Sequence, residues 1–293
     1  MASMKDIKRR RNSIQSTQQI TKAMKLVSTV KLQKARNRAE DSKAYFNCMY
    51  ETMTSLLAKA GAVNHPYVRS NGSQKKAIVV VTSNRGLAGG YNSNIVKLIT
   101  GNEELKKEDL RIYAVGGKGV ELLGHRGYEI TADYSDIIEE PCYGDAKTIA
   151  ARLLEDFEKG EIGEIYLAYT FFKNTVSHIP TLLKVLPVEE KEAEEGKEKD
   201  TVDAVDKITP MNFEPKEEEA IGLLVPKYIS SILYGAFIEA VASENGARMQ
   251  AMDSATSNAE EMIDDLELKY NRARQGAITQ ELTEIIAGAE AIG

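Results

Sequence analysis

Tryptophan is absent, aromatics make up 6% of the 293 residues, and only two cysteines occur, Cys48 and Cys142. Two cysteines with no CxxC rule out a disulfide scaffold and a thiolate zinc site, and they suit a reducing cytoplasm. The scarcity of aromatics argues against deep aromatic binding pockets. No run approaches 18 apolar residues, so no membrane span is expected. The N-terminus has no signal-peptide apolar core, and its basic residues sit in a sustained helical register unlike a transit peptide's. Residues 1–60 contain neither Gly nor Pro, and no Pro follows Pro226. Nothing therefore interrupts a helix at either end of the chain.

What is present is unevenly spread. The net charge of −6 conceals a basic start, with eleven Lys or Arg and one acid (Asp6) in residues 1–38. Residues 189–219 carry thirteen acids against five Lys. A basic helix is a solvated face or meets an anionic partner. These cations lack aromatic or groove-reading context, so no nucleic-acid partner is expected. The acidic segment has few apolar residues and reads as a surface loop.

Between Lys75 and Pro187 the period changes. Ala77–Thr82, Arg111–Val115, Glu164–Thr170 and Pro180–Leu186 are short apolar runs of strand type. Segments near Asn92–Thr100, Lys118–Arg126 and Asp145–Lys159 read as the helices between them. That alternation predicts a small Rossmann-like α/β domain with a largely parallel sheet. The expected division is an N-terminal coiled-coil helix over 1–60, an α/β domain over 75–188, an acidic loop over 189–215 and a C-terminal helix over 216–293.

In the last segment Met249, Met252, Thr256, Ala259, Ile263, Leu266, Tyr270, Ala273 and Ala277 recur at 3-4-3-4 spacing, a heptad seam. Its simplest partner is residues 1–57. One helix enters the α/β domain and the other leaves it, so the pair is antiparallel. If they start level, with Leu57 opposite Glu218, position i faces roughly 275 − i, given equal rise in both helices. Met24 then lies near Met249 and Met252. Residues from about Gln275 to Gly293 extend past the partner for roughly 27 Å. Ile278, Leu282, Ile285, Ile286 and Ala289 are too apolar to stay bare there, so another chain is expected around them.

Two glycine-rich turns, Gly86–Gly90 and Gly116–Gly119, each follow a strand and could offer helix N-terminal amides to a phosphate. Neither matches GxxxxGK[ST] or GxGxxG, and a tight strand-to-helix turn is the simpler reading. His65, His125 and His178 lack metal-ligand spacing, and no catalytic triad or carboxylate pair is evident. No metal, cofactor or catalytic residue is expected. A free-standing nucleotide-binding α/β enzyme with helical dimerisation arms is the competing reading.

Ile20-Thr21-Lys22-Ala23-Met24-Lys25-Leu26-Val27, Asn84-Arg85-Gly86-Leu87-Ala88-Gly89-Gly90 and the block Tyr270–Leu282 closely resemble the γ subunit of F-type ATP synthase. The resemblance covers the whole chain and keeps the order of its elements. It implies a non-catalytic central-stalk rotor subunit on the cytoplasmic face of the cell membrane, held peripherally without insertion. The implied partners are three α and three β subunits, the ε subunit and the membrane ring of c subunits. Met24 matches the position facing the β-subunit lever segment, and the resemblance places Arg248 close to it. Arg274, Gln275, Thr279 and Glu281 match the block that meets the β catch loop. The acidic lever implies an electrostatic contact for Arg9, Arg10, Lys22 and Lys25. Ala88 stands where many bacterial relatives have Cys, and the inserted cysteine pair of the chloroplast form is missing.

Overall fold

The computed structural model describes residues 4–59, 65–67, 72–187 and 217–290. The acidic segment expected as a loop, 189–215, lies outside the described residues, as do the side chains of Leu57 and Glu218. Two very long helices bracket the chain: α1, Met4–Lys59, and α5, Glu217–Glu290. Between them come β1 (Lys76–Val81), α2 (Tyr91–Thr100), β2 (Leu110–Val115), α3 (Gly117–Gly124), β3 (Ile130–Asp133), α4 (Tyr143–Glu158), β4 (Glu164–Phe172) and β5 (His178–Leu186). Contacts divide the chain into one unit of Lys31–Ala247 and another of Met1–Val30 with Arg248–Gly293. Each long helix contributes to both.

In the unit Lys31–Ala247 a five-stranded sheet runs in the order β3-β2-β1-β4-β5. The first four strands are parallel, and β5 returns antiparallel to β4. The parallel strands need crossovers, supplied by α2, α3 and α4. Five residues, 173–177, separate β4 from β5 and allow only a hairpin, whose turn Asn174 Oδ1 holds by accepting the amides of Val176 and Ser177. The sequence reading had four strands and no β3. That edge strand has four residues and only Ile130 and Ala132 half-buried, too weak a pattern to stand out.

Alternation along β1 explains the two cores. Val79 and Val81 join Leu167, Leu153, Phe157 and the α5 residues Ile221, Val225, Ile229, Leu233 and Phe237 on one face. Ile78 and Val80 meet Ile95, Ile99 and Leu123 of α2 and α3 on the other. Continuous apolar runs are what a strand buried on both faces requires. The α1 ring of Phe46 rests on Gly235 and against Tyr234, so helix packs on helix where α5 has no side chain.

The absence of a long apolar run does not make every helix polar. α5 includes an 18-residue window of mean hydropathy 1.5, long and apolar enough to cross a membrane. Pro226, Lys227 and scattered Gly, Ser and Tyr interrupt its apolar residues, so it contains no unbroken apolar run. Half of that window is buried, and Ile221 through Phe237 supply the core against the sheet, which accounts for the apolar composition.

Candidate partner-binding surface

In the unit formed by Met1–Val30 and Arg248–Gly293, the two helices run antiparallel. Arg11 Nη1 reaches Glu267 Oε1 at 3.4 Å, the Thr21 and Thr256 hydroxyls meet at 2.8 Å, and Lys25 Nζ pairs with Asp253 at 2.5 Å. Position i therefore faces about 278 − i, a shift of two or three residues from the level-start expectation. Met24 sits at the level of Asp253 and Ser254, less than a turn past Met252, and Arg248 lies more than a turn away along the axis.

The seam on α5 is as expected: Met252, Ala259 and Leu266 are buried, and Met249, Thr256, Ile263, Tyr270, Ala273 and Ala277 are half-buried. The α1 side is different. Its inward positions Met4, Ile7, Arg11, Ile14, Gln18, Thr21, Lys25 and Ser28 keep strict 3-4 spacing, yet five of the eight are polar or charged. Each hydroxyl also lies within reach of a carbonyl of its own helix, Gln18 O for Thr21 and Met252 O for Thr256, so one donates across the seam and the other to its own helix. Such a seam is thin, since small polar residues bury little apolar area.

A second set of apolar residues on α1 points the other way. Ile20, Leu26, Val27 and Val30 are exposed, Val30 by 70%, and Ile20, Ala23, Val27 and Val30 form one outward stripe at helical spacing. A helix that turns polar residues to its partner and apolar ones to solvent inverts the usual pattern. Sequence reasoning missed this stripe. The signal was there, in apolar residues out of phase with the seam of the opposing helix.

At the far end of α5, residues 278–289 are all exposed, with Leu282 at 55% and Ile286 at 59%. Ile278 and Ile285 complete a continuous apolar strip that the described residues do not cover. Arg274, Gln275, Thr279 and Glu281 flank it and are exposed; Thr279 Oγ1 donates to Gln275 O at 2.9 Å. Arg9 is exposed with Asp6 at 3.6 Å, Arg10 and Lys22 are exposed, and Met24 and Arg248 are half-buried. Lys25 differs from the other belt cations because it occupies a seam position and holds Asp253. Arg9, Arg10 and Lys22 lie on the exposed side of α1, Arg274, Gln275, Thr279 and Glu281 near the end of α5, and Met24, Lys25 and Arg248 are half-buried between; they do not converge on one cleft.

Both glycine-rich turns lie in the other unit; Gly86, Gly89 and Gly90 are exposed, whereas the Gly116–Gly119 turn is filled from within. Gly117 N donates to Asn84 Oδ1 at 2.8 Å, Lys118 N to Ser83 O at 3.0 Å, and Gly119 N to Thr82 Oγ1 at 2.8 Å. The amides of α3 that a phosphate would need are thus satisfied by the loop after β1. Gly116, at φ 120°, would place a Cβ 2.1 Å from Thr82 O, so glycine there serves strand packing. Among the described residues no group of three or more His, Cys, Asp or Glu could hold a metal ion.

A family model described as ATP synthase matches residues 3–292. The chain is 62% identical to the ATP synthase gamma chain of Lachnoclostridium phytofermentans, covering 100% of both proteins. It is 41% identical to the sodium ion specific ATP synthase gamma chain of Acetobacterium woodii, over 99% of this chain and 98% of that one. A chain of the Euglena gracilis mitochondrial ATP synthase, solved as OSCP/F1/c-ring, superposes with a TM-score of 0.68 at 21% identity, covering 99% and 94%. A chain of the Tetrahymena thermophila central stalk and c-ring gives 0.57 at 21% identity, covering 80% and 99%. Those two likenesses concern the fold. Full-length identity to curated gamma chains settles the family: this chain belongs to the ATP synthase gamma chains.

Proposed function

We propose that the chain is the non-catalytic rotor of the complex, a shaft that passes rotation between a membrane ion-translocating ring and catalytic α and β subunits. The observation that carries this reading is the uncovered apolar surface, the α1 stripe and the end of α5, on a two-helix unit with a polar seam. A surface of this kind requires an enclosing partner. Three α and three β subunits would surround it, with the ε subunit and the c ring meeting the α/β unit, on the cytoplasmic face of the membrane and without insertion. Met24, Arg9, Arg10, Lys22, Lys25, Arg248, Arg274, Gln275, Thr279 and Glu281 would be the groups that touch the collar.

Two unlike helices have no three-fold symmetry. Turning them inside three equivalent sites presents a different face to each. A site's closed state is favoured only where contacts to the shaft differ between its closed and open forms, which is how a rotation shifts nucleotide binding. Catalysis then stays with the collar, and the internally bonded amides of α3 support that division. The competing enzyme reading requires the isolated chain to bind nucleotide. We expect no ATP binding in the micromolar range by the purified chain, and ATP hydrolysis restored to stalk-depleted α and β subunits when it is added. Micromolar binding by the partner-free chain would favour the enzyme.

A further inference from the structure

Within the unit Lys31–Ala247, α5 crosses the β4–β5 hairpin. Ser243 Oγ donates to Thr170 O at 3.1 Å, and the His178 ring sits against Gly246, where an added Cβ would lie 2.5 Å from Nε2. Three polar atoms are buried in this contact without a hydrogen-bond partner: Glu239 Oε2, His178 Nε2 and Thr170 Oγ1. Glu239 Oε2 is the least tolerable of these, because ionisation of this half-buried carboxyl would place charge on a buried oxygen that has no partner.

Among the described residues no cation pairs with Glu239 Oε2. α5 has no Lys or Arg between Lys227 and Arg248, and its other charge in that interval is Glu244. From β4 comes Tyr169, whose phenol is pushed up by burial and by the nearby Glu239 carboxylate. From β5 comes His178, pushed down by burial. α2 contributes Tyr91, whose hydroxyl is committed to Ala240 O at 3.2 Å. α4 meets this stretch at Tyr143, packed on Tyr234. Phe46 on Gly235 sets the register with α1, bringing Glu40, Asp41 and Lys43 to about the level of Glu239, the side chain of Lys43 lying outside the described residues. Burial is nevertheless the one cause acting on Glu239, and it raises the carboxyl to about 7.

We propose that the contact between α5 and the β4–β5 hairpin is a proton-operated joint, in which neutral Glu239 keeps the helix seated and its ionisation loosens the hairpin. The sign follows from linkage. The seated state holds its proton up to about pH 7, whereas an exposed glutamate releases it near 4.5. Seating is therefore tightest below the lower value, weakens as pH rises between the two, and levels off above about 7. His178 works oppositely, since a buried neutral imidazole disfavours the seated state once pH falls below its ordinary 6.5. The joint is firmest in mildly acid solution and yields at and above neutrality.

Amide hydrogen exchange on the full chain tests this, with rates corrected for the intrinsic rise of exchange with pH. Peptides of β4, β5 and residues 235–247 are compared with α4 as an internal control. Relative to E239Q, in which His178 acts without the carboxyl, the open population of the joint in the unmutated chain should rise on the order of tenfold between pH 5.5 and 7 and then flatten. In E239Q the open population should not rise over that interval, and α4 should be unchanged in both. A carboxyl-carbon NMR titration of the unmutated chain gives a second reading independent of the variant, and should show one glutamate with a midpoint near neutrality. Hairpin exchange that tracks α4 at every pH, a rise that persists in E239Q, or glutamates that all titrate in the ordinary range would each overturn the proposal.

Discussion

Replacing Ile278, Leu282, Ile285 and Ile286 together by Ser separates a shaft from a self-contained helix bundle. In the isolated chain these side chains are 49%, 55%, 67% and 59% exposed, so little burial is lost when they are truncated. Fully burying a Leu or Ile is worth about 1.5–3 kcal/mol. Roughly half of that remains unrealised at each position, which gives about 3–6 kcal/mol available only when a partner closes over all four. Binding to the surrounding subunits should thus weaken by about two to four orders of magnitude. No described α1 residue stands opposite positions past about 274, so the burial they already have is local to that end of the helix, and its loss should change the unfolding free energy of the rest of the chain by less than about 1 kcal/mol. L266A is the matching control. Leu266 is 8% exposed in the seam, so its truncation should cost the isolated chain about 2–5 kcal/mol. Chemical denaturation of the isolated chain and titration calorimetry with the α/β assembly supply the two readouts. A quadruple variant that destabilises the isolated chain as much as L266A, or that binds with parental affinity, would refute the burial reasoning.

Other consequences follow from the same geometry. Cysteines at Thr21 and Thr256 should form an intramolecular disulfide faster than a pair at Met24 and Met249, because the hydroxyls already meet at 2.8 Å and a disulfide needs Cα atoms within about 7 Å; SDS gels under mild oxidation show which forms. G116A should lower the melting temperature markedly, with a stability loss above about 2 kcal/mol, since its Cβ meets the Thr82 carbonyl at 2.1 Å and the backbone is left-handed. Changing Arg9, Arg10 and Lys22 to Gln should leave melting within about 0.5 kcal/mol yet lower ATP yield per ion gradient, an effect partly mimicked by high salt. K25Q should also loosen the coiled coil slightly, by at most about 1 kcal/mol, through loss of Asp253.

How much of this was legible in the sequence depended on where each residue's partner lies. The seam of α5 could be read because Met252, Ala259 and Leu266 are buried by this same chain. The strands Lys76–Val81 and Leu110–Val115 were legible for a similar reason, being apolar on both faces and covered on both. α1 resisted a periodicity reading because Arg11, Gln18, Thr21 and Lys25 face its partner helix while Ile20, Val27 and Val30 face outward. There the hydrophobic pattern records a surface for other chains. The antiparallel return of β5 was implicit in the five-residue link after Phe172, but apolar runs carry no strand direction. Glu239 was illegible, since nothing in its sequence neighbourhood states that Tyr169 and the hairpin close over it.

The most direct test of a rotor is to watch it turn. A complex anchored by its β subunits, with a bead attached to a cysteine on the part of the chain farthest from the collar, can be followed during ATP hydrolysis. A central shaft should rotate continuously in one direction, at a rate proportional to turnover, and should stop when nucleotide is removed. Steady hydrolysis beneath a bead that only fluctuates about a fixed angle would contradict the assignment.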